Sequence, residues 1–470
     1  MKPRIATAAK PWASSLTGGE RNMTIWEERR ETPVVGKFDV CVIGGSCTGV
    51  FAAVRAARLG MKVVLVERMG CFGGVATLSL VNVWHSKYDE VFDRQIFAGL
   101  TLEVIERLRL RDAVRDREKN PHWEWSFNPQ ELQIELDALV SESGIHPCLH
   151  TTFVAALRDG PRMTGAIIEN KSGRGVILAR QFIDASGDGD IADRLGLPTY
   201  VSSHTLPSTT CAIFSGWESV ESHHRIGQLL REHGSEFGLP QGVAWGAHIP
   251  GSQNFMLAAT RIYTDGTNCA DADALTRAEM EGRRQIRGLM DLVKKHIPGS
   301  NLVLQTLPAR LGIRETRHVK CRHQLSGDDV LYGRKFDDAI ANGSYRVDIH
   351  HLDKPGVTFR YLDGRQEYWR PGHPLEISRW REETPTNPTF YQIPFRSMTP
   401  EGCPNLLVAG RMIDADPVAH AGIRVMVNMN QTGEAAGVAA ALAVKDGIDA
   451  ATVSVKHLRE ELEKGGSIVL

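Results

Sequence analysis

The stretch VIGGSCTG, residues 42–49, has the small residues and the spacing of a loop that wraps a phosphate group. A dinucleotide-binding loop carries the pattern Gly-x-Gly-x-x-Gly, which lets the backbone approach a pyrophosphate at the start of a helix. Aligned on Gly44 and Gly49, the sequence has Ser46 where the middle glycine is expected. Serine is small and its hydroxyl can donate a hydrogen bond to a phosphate oxygen, so we interpret the loop as a working variant.

The elements on both sides of the loop predict a strand-helix-strand unit. FDVCVI (38–43) is typical of a buried strand, TGVFAAVRAARLG (48–60) of a helix ending at Gly60, and KVVLVER (62–68) of a second strand. Glu67 follows Gly44 by 23 positions, close to the spacing of about 20 expected for an acid that binds ribose. These features predict a nucleotide site containing Ile43, Gly44, Gly45, Ser46, Cys47, Thr48, Gly49 and Glu67.

The composition of the chain limits the classes of partner and site that we expect. The chain has 470 residues, is 42% hydrophobic and carries a formal net charge of −1, so no overall field favours nucleic acid or an anionic membrane. No apolar run approaches the ~18 residues that span a bilayer. The 8 cysteines are scattered without a Cys-x-x-Cys pair, which argues against a zinc site and a disulfide framework. We expect a cytoplasmic protein with a small-molecule substrate and no nucleic-acid or membrane partner, and the electron partner and homo-oligomerisation stay open.

Four further stretches carry a family resemblance. They are RMGCFGGVAT (68–77), FIDASGDGDIADRLG (182–196), GIRETR (312–317) with GRKFDDAIANGSYRVDIH (333–350), and NLLVAGRMIDADPVAHAGIRVMVNMNQTGEAAGVAAALAV (405–444). With the loop, they resemble the FAD-dependent oxidoreductases of the glutathione-reductase-like superfamily, and more narrowly a bacterial family of FAD-dependent oxidoreductases. The resemblance covers about residues 33 to 445. Relatives often carry Cys-Ile-Ser where this chain has Met412, Ile413 and Asp414, so a role for that cysteine does not carry over.

The resemblance implies FAD as cofactor and an α/β fold, in which a Rossmann-like FAD-binding domain carries an inserted α+β substrate domain. It adds these cofactor-binding residues to the loop: Arg68, Gly73, Gly74, Ala76, Thr77, Val154, Ala185, Ser186, Gly187, Asp188, Gly410, Arg411, Arg424, Val425 and Gly433. The helix GEAAGVAAALAV is expected to begin near Thr432 and Gly433 and to direct the positive end of its dipole at the flavin.

The domain boundaries follow from the distribution of these signals. Residues 1–32 form an N-terminal arm without the apolar core of a secretory signal, 33–200 and 396–470 form the FAD-binding domain, and 201–395 form the substrate or cap domain. The first block contains a helix that starts at Pro129, followed by two strands joined by a glycine turn. The insert contains a long amphipathic helix, ALTRAEMEGRRQIRGLMDLVKKH (274–296).

The candidate catalytic residues are His85, Arg314, His350 and Tyr391. His85, after Trp84, is interpreted as a general base or as a structural histidine. Arg314, with Arg317, either clamps a carboxylate or forms an ion pair with Glu315 or with the acids at 337 and 338. His350 and His351 are expected to point to opposite faces of a strand, so at most one of them reaches the site. Tyr391 is expected in the interdomain cleft, and no third ligand at metal spacing accompanies the histidines.

The favoured function is hydride transfer between a small-molecule substrate and the flavin N5. The sequence has no second glycine fingerprint and no redox cysteine pair near the flavin, which argues against a pyridine-nucleotide disulfide reductase. Two alternatives stay open. One is a flavin-dependent monooxygenase that uses NAD(P)H and oxygen, and the other is a non-catalytic electron-transfer flavoprotein subunit.

Overall fold

The computed structural model describes residues 30–120, 122–203, 205–220, 223–240, 244–264, 268–351, 354 and 356–470. Nearly all of the predicted N-terminal arm therefore lies outside the described residues. The α-helices are α1 (Cys47–Arg58), α2 (Leu100–Arg109), α3 (Pro129–Glu142), α4 (Asp190–Leu195), α5 (His223–His233), α6 (Ala272–His296), α7 (Gly327–Leu331), α8 (Pro417–Ile423), α9 (Met426–Asp446) and α10 (Val455–Lys464).

The strands form six sheets. In chain order they are β1 (Val34–Ile43), β2 (Val63–Val66), β3 (Val83–Trp84), β4 (Val114–Asp116), β5 (Trp125–Phe127), β6 (His146–Cys148), β7 (Thr152–Asp159), β8 (Arg162–Asn170), β9 (Gly173–Asp184), β10 (Thr199–Val201), β11 (Cys211–Ser215), β12 (Trp245–His248), β13 (Phe255–Ala258), β14 (Val303–Thr306), β15 (Arg317–Val319), β16 (Ala339–Gly343), β17 (Val347–His350), β18 (Val357–Arg360), β19 (Arg365–Trp369), β20 (Glu376–Arg379), β21 (Tyr391–Pro394) and β22 (Leu406–Val408).

The main sheet has the order β6-β2-β1-β9-β8-β7, with β22 paired to the second half of β9. Five strands run parallel to one another, namely β6, β2, β1, β9 and β22. Strand β8 pairs antiparallel with β9, and β7 pairs antiparallel with β8. The buried end of β1 and all of β2 are apolar, as expected for parallel strands covered on both faces. This arrangement confirms the predicted α/β fold with a Rossmann-like sheet.

The register of the parallel strands sets where a site can form. Ile43 is aligned with Val66 on one side and with Asp184 on the other, and Asp184 is aligned with Val408. Four strands therefore end at the same edge of the sheet. In parallel sheets, ligands bind in the crevice outside the carboxyl ends of the strands, so the residues that follow these ends are in position to bind one.

Helices α1 and α9 pack closely on one face of the main sheet. All of the residues from Val427 to Val444 are buried. A Cβ added to Gly433 would lie 2.1 Å from the carbonyl oxygen of Thr48, and one added to Gly437 would lie 2.1 Å from that of Ala52. The two helices therefore touch backbone to backbone, and glycine is required at both positions because no side chain fits between them.

The segment 201–395 adds antiparallel sheets, as expected of an inserted domain. One has the order β12-β13-β11-β14 and another the order β17-β18-β19-β20, while β16 pairs with β21. The described residues from Val34 to Leu470 nevertheless belong to one compact unit by their contacts. The boundaries of the insert therefore stay a prediction.

The predicted helices at 129 and 274 are confirmed, with Asn128 and Asp271 as their N-caps. The predicted start of the last FAD-domain helix is wrong, because α9 begins at Met426 rather than near Thr432. The polar residues of its first two turns are held by tertiary hydrogen bonds. The Gln431 amide, for example, donates to the carbonyl oxygen of Asn342. Tertiary bonding of this kind is invisible to a propensity argument. Among the described helices, none has the length and hydropathy required to cross a bilayer.

We predict that Gly433→Ala destabilises the protein by about 1–3 kcal/mol, because the added methyl group collides with the backbone of α1. Urea unfolding measures this change. The matched control is Gly227→Ala in α5, where the nearest atom to an added Cβ is an Arg231 side-chain nitrogen at 3.6 Å. Equal stability of the two variants would contradict the close helix contact.

Candidate functional site

A cavity of about 610 Å³ lies at the carboxyl edge of the main sheet. Residues that follow β1, β2, β9 and β22 line it, together with residues of the segment 201–395. The predicted residues that it brings together are Gly44, Ser46, Cys47, Thr48, Glu67, Gly73, Gly74, Ala185, Ser186, Gly187, Gly410, Arg411, Arg424 and Val425, along with His85, Arg314 and His350. Its size falls within the range of small-molecule and cofactor sites.

Other predicted residues do not line this cavity. They are Ile43, Gly45, Gly49, Arg68, Ala76, Thr77, Val154, Asp188, Gly433 and Tyr391. Several of them shape the loops behind the lining. The hydroxyl of Thr77, for example, donates to the carbonyl oxygen of Phe72. Val154 lies on β7, and Gly433 faces α1 rather than the cavity.

The glycine-rich loop is held by backbone contacts. Gly44 has φ +102°, and an added Cβ would lie 2.3 Å from the carbonyl oxygen of Ala185. Ser46 is the N-cap of α1, and its hydroxyl accepts from the N–H of Gly49 at 3.4 Å. Serine thus occupies the middle fingerprint position as a capping residue, and the open N–H groups at the start of α1 face the cavity edge.

The Glu67 carboxylate fixes the loop from the end of β2. One oxygen accepts from the N–H of Gly45 at 2.6 Å and the other from the N–H of Met69 at 2.8 Å. The side chain also lines the cavity. Each carboxylate oxygen has a second lone pair, so the predicted bond to a ribose hydroxyl is compatible with both backbone contacts.

Asp188 is a buried carboxylate that gathers three arginines beside the loop. Arg411 donates to it at 2.6 Å and Arg310 at 3.0 Å, and Arg68 lies 3.6 Å away. Burial alone would raise the pKa of Asp188, but the charges of Arg411, Arg310 and Arg68 outweigh it and lower that pKa. Three cations on one anion leave a net positive charge next to the phosphate-binding loop, which favours a pyrophosphate there.

The start of α9 forms another wall of the cavity. Val425 is the N-cap and provides no side-chain cap, while Val425, Met426, Met429 and Asn430 line the cavity. The free N–H groups and the positive end of the dipole of this 21-residue helix therefore face the cavity. The end of the helix that carries the positive dipole is thus at Val425, and the predicted position at Thr432 and Gly433 is wrong.

His85 presents a neutral imidazole to the cavity. Its Nδ1 atom is buried without a hydrogen-bond partner among the described residues, and its ring lies edge-on to that of Tyr345 at 4.4 Å. Burial, followed by the charges of Arg346 and Arg424, lowers the pKa of His85 to about 3. The neighbouring Trp84 is fully buried and packs on Phe127 instead of reaching the cavity.

His350 is held on both sides by charged groups. Its Nδ1 accepts from an Arg261 guanidinium N–H at 2.8 Å, so Nε2 carries the proton and faces a carboxylate oxygen of Asp348 at 3.2 Å. Burial lowers the pKa of His350 to about 4. Both ring nitrogens are therefore occupied, which suits a positioning group better than a base. His351 bonds to Thr358 and does not line the cavity.

The remaining catalytic candidates are Arg314 and Tyr391, and only Arg314 lines the cavity. Arg314 lines the cavity and donates to the carbonyl oxygen of Pro207 and to the hydroxyl of Thr209. It does not pair with Glu315, and Arg317 pairs with Asp190 and Asp193.

Tyr391 was expected in the cleft, but it is fully buried on β21. Its hydroxyl donates to the carbonyl oxygen of Gly422 at 2.9 Å and accepts from the amide of Asn428 at 3.0 Å. This side chain is structural because β21 pairs with β16 and turns it into the core.

Sequence reasoning missed Asp348, Arg346, Arg310, Trp123 and Trp245, all of which line the cavity. Arg346 and Asp348 lie in the stretch 333–350 that carries the family resemblance, but they were not singled out there, and the other three belong to no quoted motif. It also missed the buried cluster of Glu315, His318 and His420, whose potential metal-ligating atoms lie within 4.8 Å of one another. In that cluster, His318 bonds to Glu315 and to the carbonyl oxygen of Ile413, while His420 bonds to that of Arg314. Residues so far apart in the chain meet only through the fold.

We predict that His420 makes stability depend on pH. Burial lowers its pKa to about 3 from an ordinary value of 6.5, so the folded protein keeps it neutral. Between these pH values the unfolded chain binds more protons. The free energy of unfolding therefore falls as the pH drops below 6.5, by up to about 1.4 kcal/mol per pH unit, and this contribution is constant above about pH 7.

Urea unfolding of the wild type and of His420→Gln between pH 5 and 8 tests this. The variant should show the smaller decrease on the acid side, because glutamine does not titrate and can still donate to the carbonyl oxygen of Arg314. Replacement of the exposed His373 by Gln is the control. Parallel curves for the wild type and His420→Gln would contradict the prediction.

Comparison with known proteins gives the family. A model of FAD dependent oxidoreductases matches residues 39–462. Mitochondrial dihydrolipoyl dehydrogenase of Schizosaccharomyces pombe is 31% identical over 88 residues, which are 16% of this chain and 17% of that protein. The enzyme of Trypanosoma brucei brucei is 33% identical over 88 residues, 16% of this chain and 18% of that protein. The match therefore spans less than a fifth of these curated relatives.

Solved structures that resemble this chain include a geranylgeranyl bacteriochlorophyll reductase-like protein from Thermoplasma acidophilum. It is 12% identical with a TM-score of 0.45, over 91% of this chain and 84% of that one. A p-nitrophenol 4-monooxygenase from Pseudomonas putida is 11% identical with a TM-score of 0.41, over 91% of this chain and 83% of that one. Because the family model covers most of the sequence, this chain belongs to the FAD dependent oxidoreductase family.

Proposed function

We propose that this protein is a dehydrogenase or reductase that transfers a hydride between a small-molecule substrate and the flavin N5. One observation carries the proposal. A single cavity is lined both by the phosphate-binding loop and by His85, Arg314 and His350. A substrate held by the second group of residues would share one enclosed space with a cofactor held by the first, as hydride transfer requires.

The residues present fit FAD. The loop at Gly44 brings the backbone to the cavity edge, Glu67 is placed for a ribose hydroxyl, and Arg411 adds positive charge for the pyrophosphate. The start of α9 at Val425 favours negative charge on the far part of the cofactor. When bound, FAD supplies the hydride acceptor or donor at N5.

His85 is the group best placed to take a proton from the substrate. It is neutral because burial and two arginines oppose its protonation, and its Nδ1 lone pair or N–H has no partner among the described residues. His350 and Asp348 would orient the surrounding guanidinium groups rather than move a proton themselves, since each already has hydrogen-bond partners. A base held unprotonated can act throughout the neutral pH range.

The alternative of a monooxygenase differs in what it consumes. Such an enzyme would use NAD(P)H and oxygen, whereas the proposed reaction is complete with substrate and flavin under anaerobic conditions. Both kinds of enzyme share the dinucleotide fingerprint at residues 44–49, but β22 is followed here by Ala409, Gly410 and Arg411 rather than by a Gly-Asp turn, which supports the proposed reaction. Oxygen uptake that depends on both NAD(P)H and an organic substrate would overturn the proposal in favour of the monooxygenase.

We predict that Gly44→Ala abolishes FAD binding, with at least a tenfold lower flavin content per protein. The added Cβ would meet the carbonyl oxygen of Ala185, and alanine is strained at φ +102°. Flavin released by acid from the purified protein gives the content. Ser46→Gly should keep FAD, because glycine is accepted at an N-cap and restores the fingerprint.

The matched control for Gly44→Ala is Gly60→Ala. Gly60 has φ +88°, yet an added Cβ there meets no atom within 4 Å. It therefore carries similar backbone strain without disturbing the loop, and it should retain the flavin. Full flavin content in a folded Gly44→Ala protein would contradict the assignment of this loop.

We predict that His85→Gln slows anaerobic bleaching of the flavin by substrate about 10²- to 10⁴-fold, because the proton acceptor is lost. Flavin content should not change. His457→Gln, on the surface helix α10, is the control. In the wild type, kcat/KM should show no loss assignable to His85 between pH 8 and 5, since its pKa is about 3. Unchanged bleaching in His85→Gln would rule this residue out as the base.

A further inference from the structure

The charge of the cavity lining is unbalanced. Among the described residues, six arginines line it, against the carboxylates of Glu67 and Asp348. Two of the six, Arg310 and Arg411, already pair with Asp188 beside the phosphate-binding loop. The others, which lie outside that cluster, are Arg231, Arg314, Arg346 and Arg424.

Asp348 forms a direct ion pair with only one of these arginines, Arg424. Its Oδ2 atom accepts from Arg424 at 2.8 Å and from the Tyr345 hydroxyl at 3.2 Å, while Oδ1 faces His350. Burial would raise the pKa of Asp348, yet its contact with His350 and the charges of Arg424 and Arg314 lower that pKa well below its usual range. Asp348 is therefore ionised, and its Oδ1 atom has no hydrogen-bond partner among the described residues. Its single negative charge cannot neutralise all of the guanidinium groups around it.

Arg314 and Arg346 have only neutral partners among the described residues. Arg314 donates to Pro207 and Thr209, and Arg346 donates to the Nδ1 of His122 at 3.3 Å. The Nε atoms of Arg346 and Arg424 are buried without an acceptor. Burial and the nearby charge of Arg424 lower the pKa of Arg314 to about 10. Arg314 and Arg346 are half-buried, and cations partly removed from water are normally paired, so an anion would complete this part of the cavity.

Aromatic side chains form the walls beside these arginines. Trp123, Trp245, Phe359 and Trp369 line the cavity, and the rings of Trp123 and Trp245 lie 6.0 Å apart. The guanidinium of Arg346 lies over the ring of Phe359 at 4.1 Å, which holds the cation in place at the wall. Such walls bury a flat apolar body, while guanidinium groups bind carboxylates bidentately.

We propose that the substrate is an organic carboxylate with a flat apolar body, whose carboxylate is bound by Arg346 and Arg314 and whose body lies between the aromatic walls. This inference rests on the proposed function, because it takes the bound anion to be the molecule that exchanges a hydride with the flavin. Arg424 stays paired with Asp348 and orients the two arginines that bind the carboxylate. His85 lies at the same end of the cavity, where it exchanges the substrate proton.

The test uses the FAD-loaded protein and two probes of equal shape. Benzoate carries the proposed charge, and benzamide lacks it. Each is titrated while the visible absorbance of the flavin is recorded, with calorimetry as a second readout. We expect saturable binding of benzoate, and binding of benzamide at least tenfold weaker. Equal affinity of the two probes, or no saturation by benzoate up to tens of millimolar, would overturn the proposal.

Variants at Arg346 test whether benzoate binds at this residue. Arg346→Gln should weaken benzoate binding about 10- to 100-fold, as expected for loss of a charge-assisted bond, while the flavin content stays the same. Arg346→Lys keeps the charge and should recover much of the affinity. Arg283→Gln, on the exposed face of α6, is the control. Benzoate affinity that is unchanged in Arg346→Gln would overturn the assignment to this site.

Three further outcomes are informative, and the last two separate this inference from the proposed function. Inorganic phosphate that binds as tightly as benzoate would overturn the contribution of the aromatic walls. Anaerobic bleaching of the flavin by a neutral substrate, without any bleaching by carboxylates, would overturn this inference and leave the proposed hydride transfer standing. Tight benzoate binding by a protein whose flavin no carboxylate reduces would sustain the anion site and overturn the proposed function.

Discussion

The structure depends on the backbone contact between Gly44 and Ala185. The strands β1 and β9 end in register at Ile43 and Asp184, and the chain must then turn away from both ends within one residue. A side chain at Gly44 would collide with the carbonyl oxygen of Ala185. Because this position is occupied by glycine, the loop, the start of α1 and the residues after β9 can all border one cavity.

The second requirement is the fit of α9 against α1. Gly433 and Gly437 let the backbones of α9 and α1 touch. This contact fixes the position of α9 along α1, and with it the place where α9 begins. The start of α9 at Val425 then lies in the cavity wall, where its free N–H groups face the interior. The packing of one face of α9 thus determines where the positive end of its dipole lies.

Two charged clusters border the cavity, and we assign one of them to the cofactor and the other to the proposed substrate. Around Asp188, three arginines meet one carboxylate next to the phosphate-binding loop. Around Asp348, arginines again outnumber the carboxylate, but the neighbouring groups are histidines and aromatic rings. In both clusters the excess of arginines over carboxylates favours an anion. In our proposal, this anion is the phosphate part of the cofactor at one cluster and a carboxylate at the other.

The sequence alone determined the glycine-rich loop, the strand-helix-strand unit and many of the residues that line the cavity, because these belong to local patterns whose spacing is set by a turn and a helix. Only the tertiary structure decided that Tyr391 is buried, that α9 starts at Met426, and that Asp348 and Arg346 border the cavity. These depend on contacts between distant segments, such as the bond from Gln431 to Asn342, which leave no periodic signal in the chain.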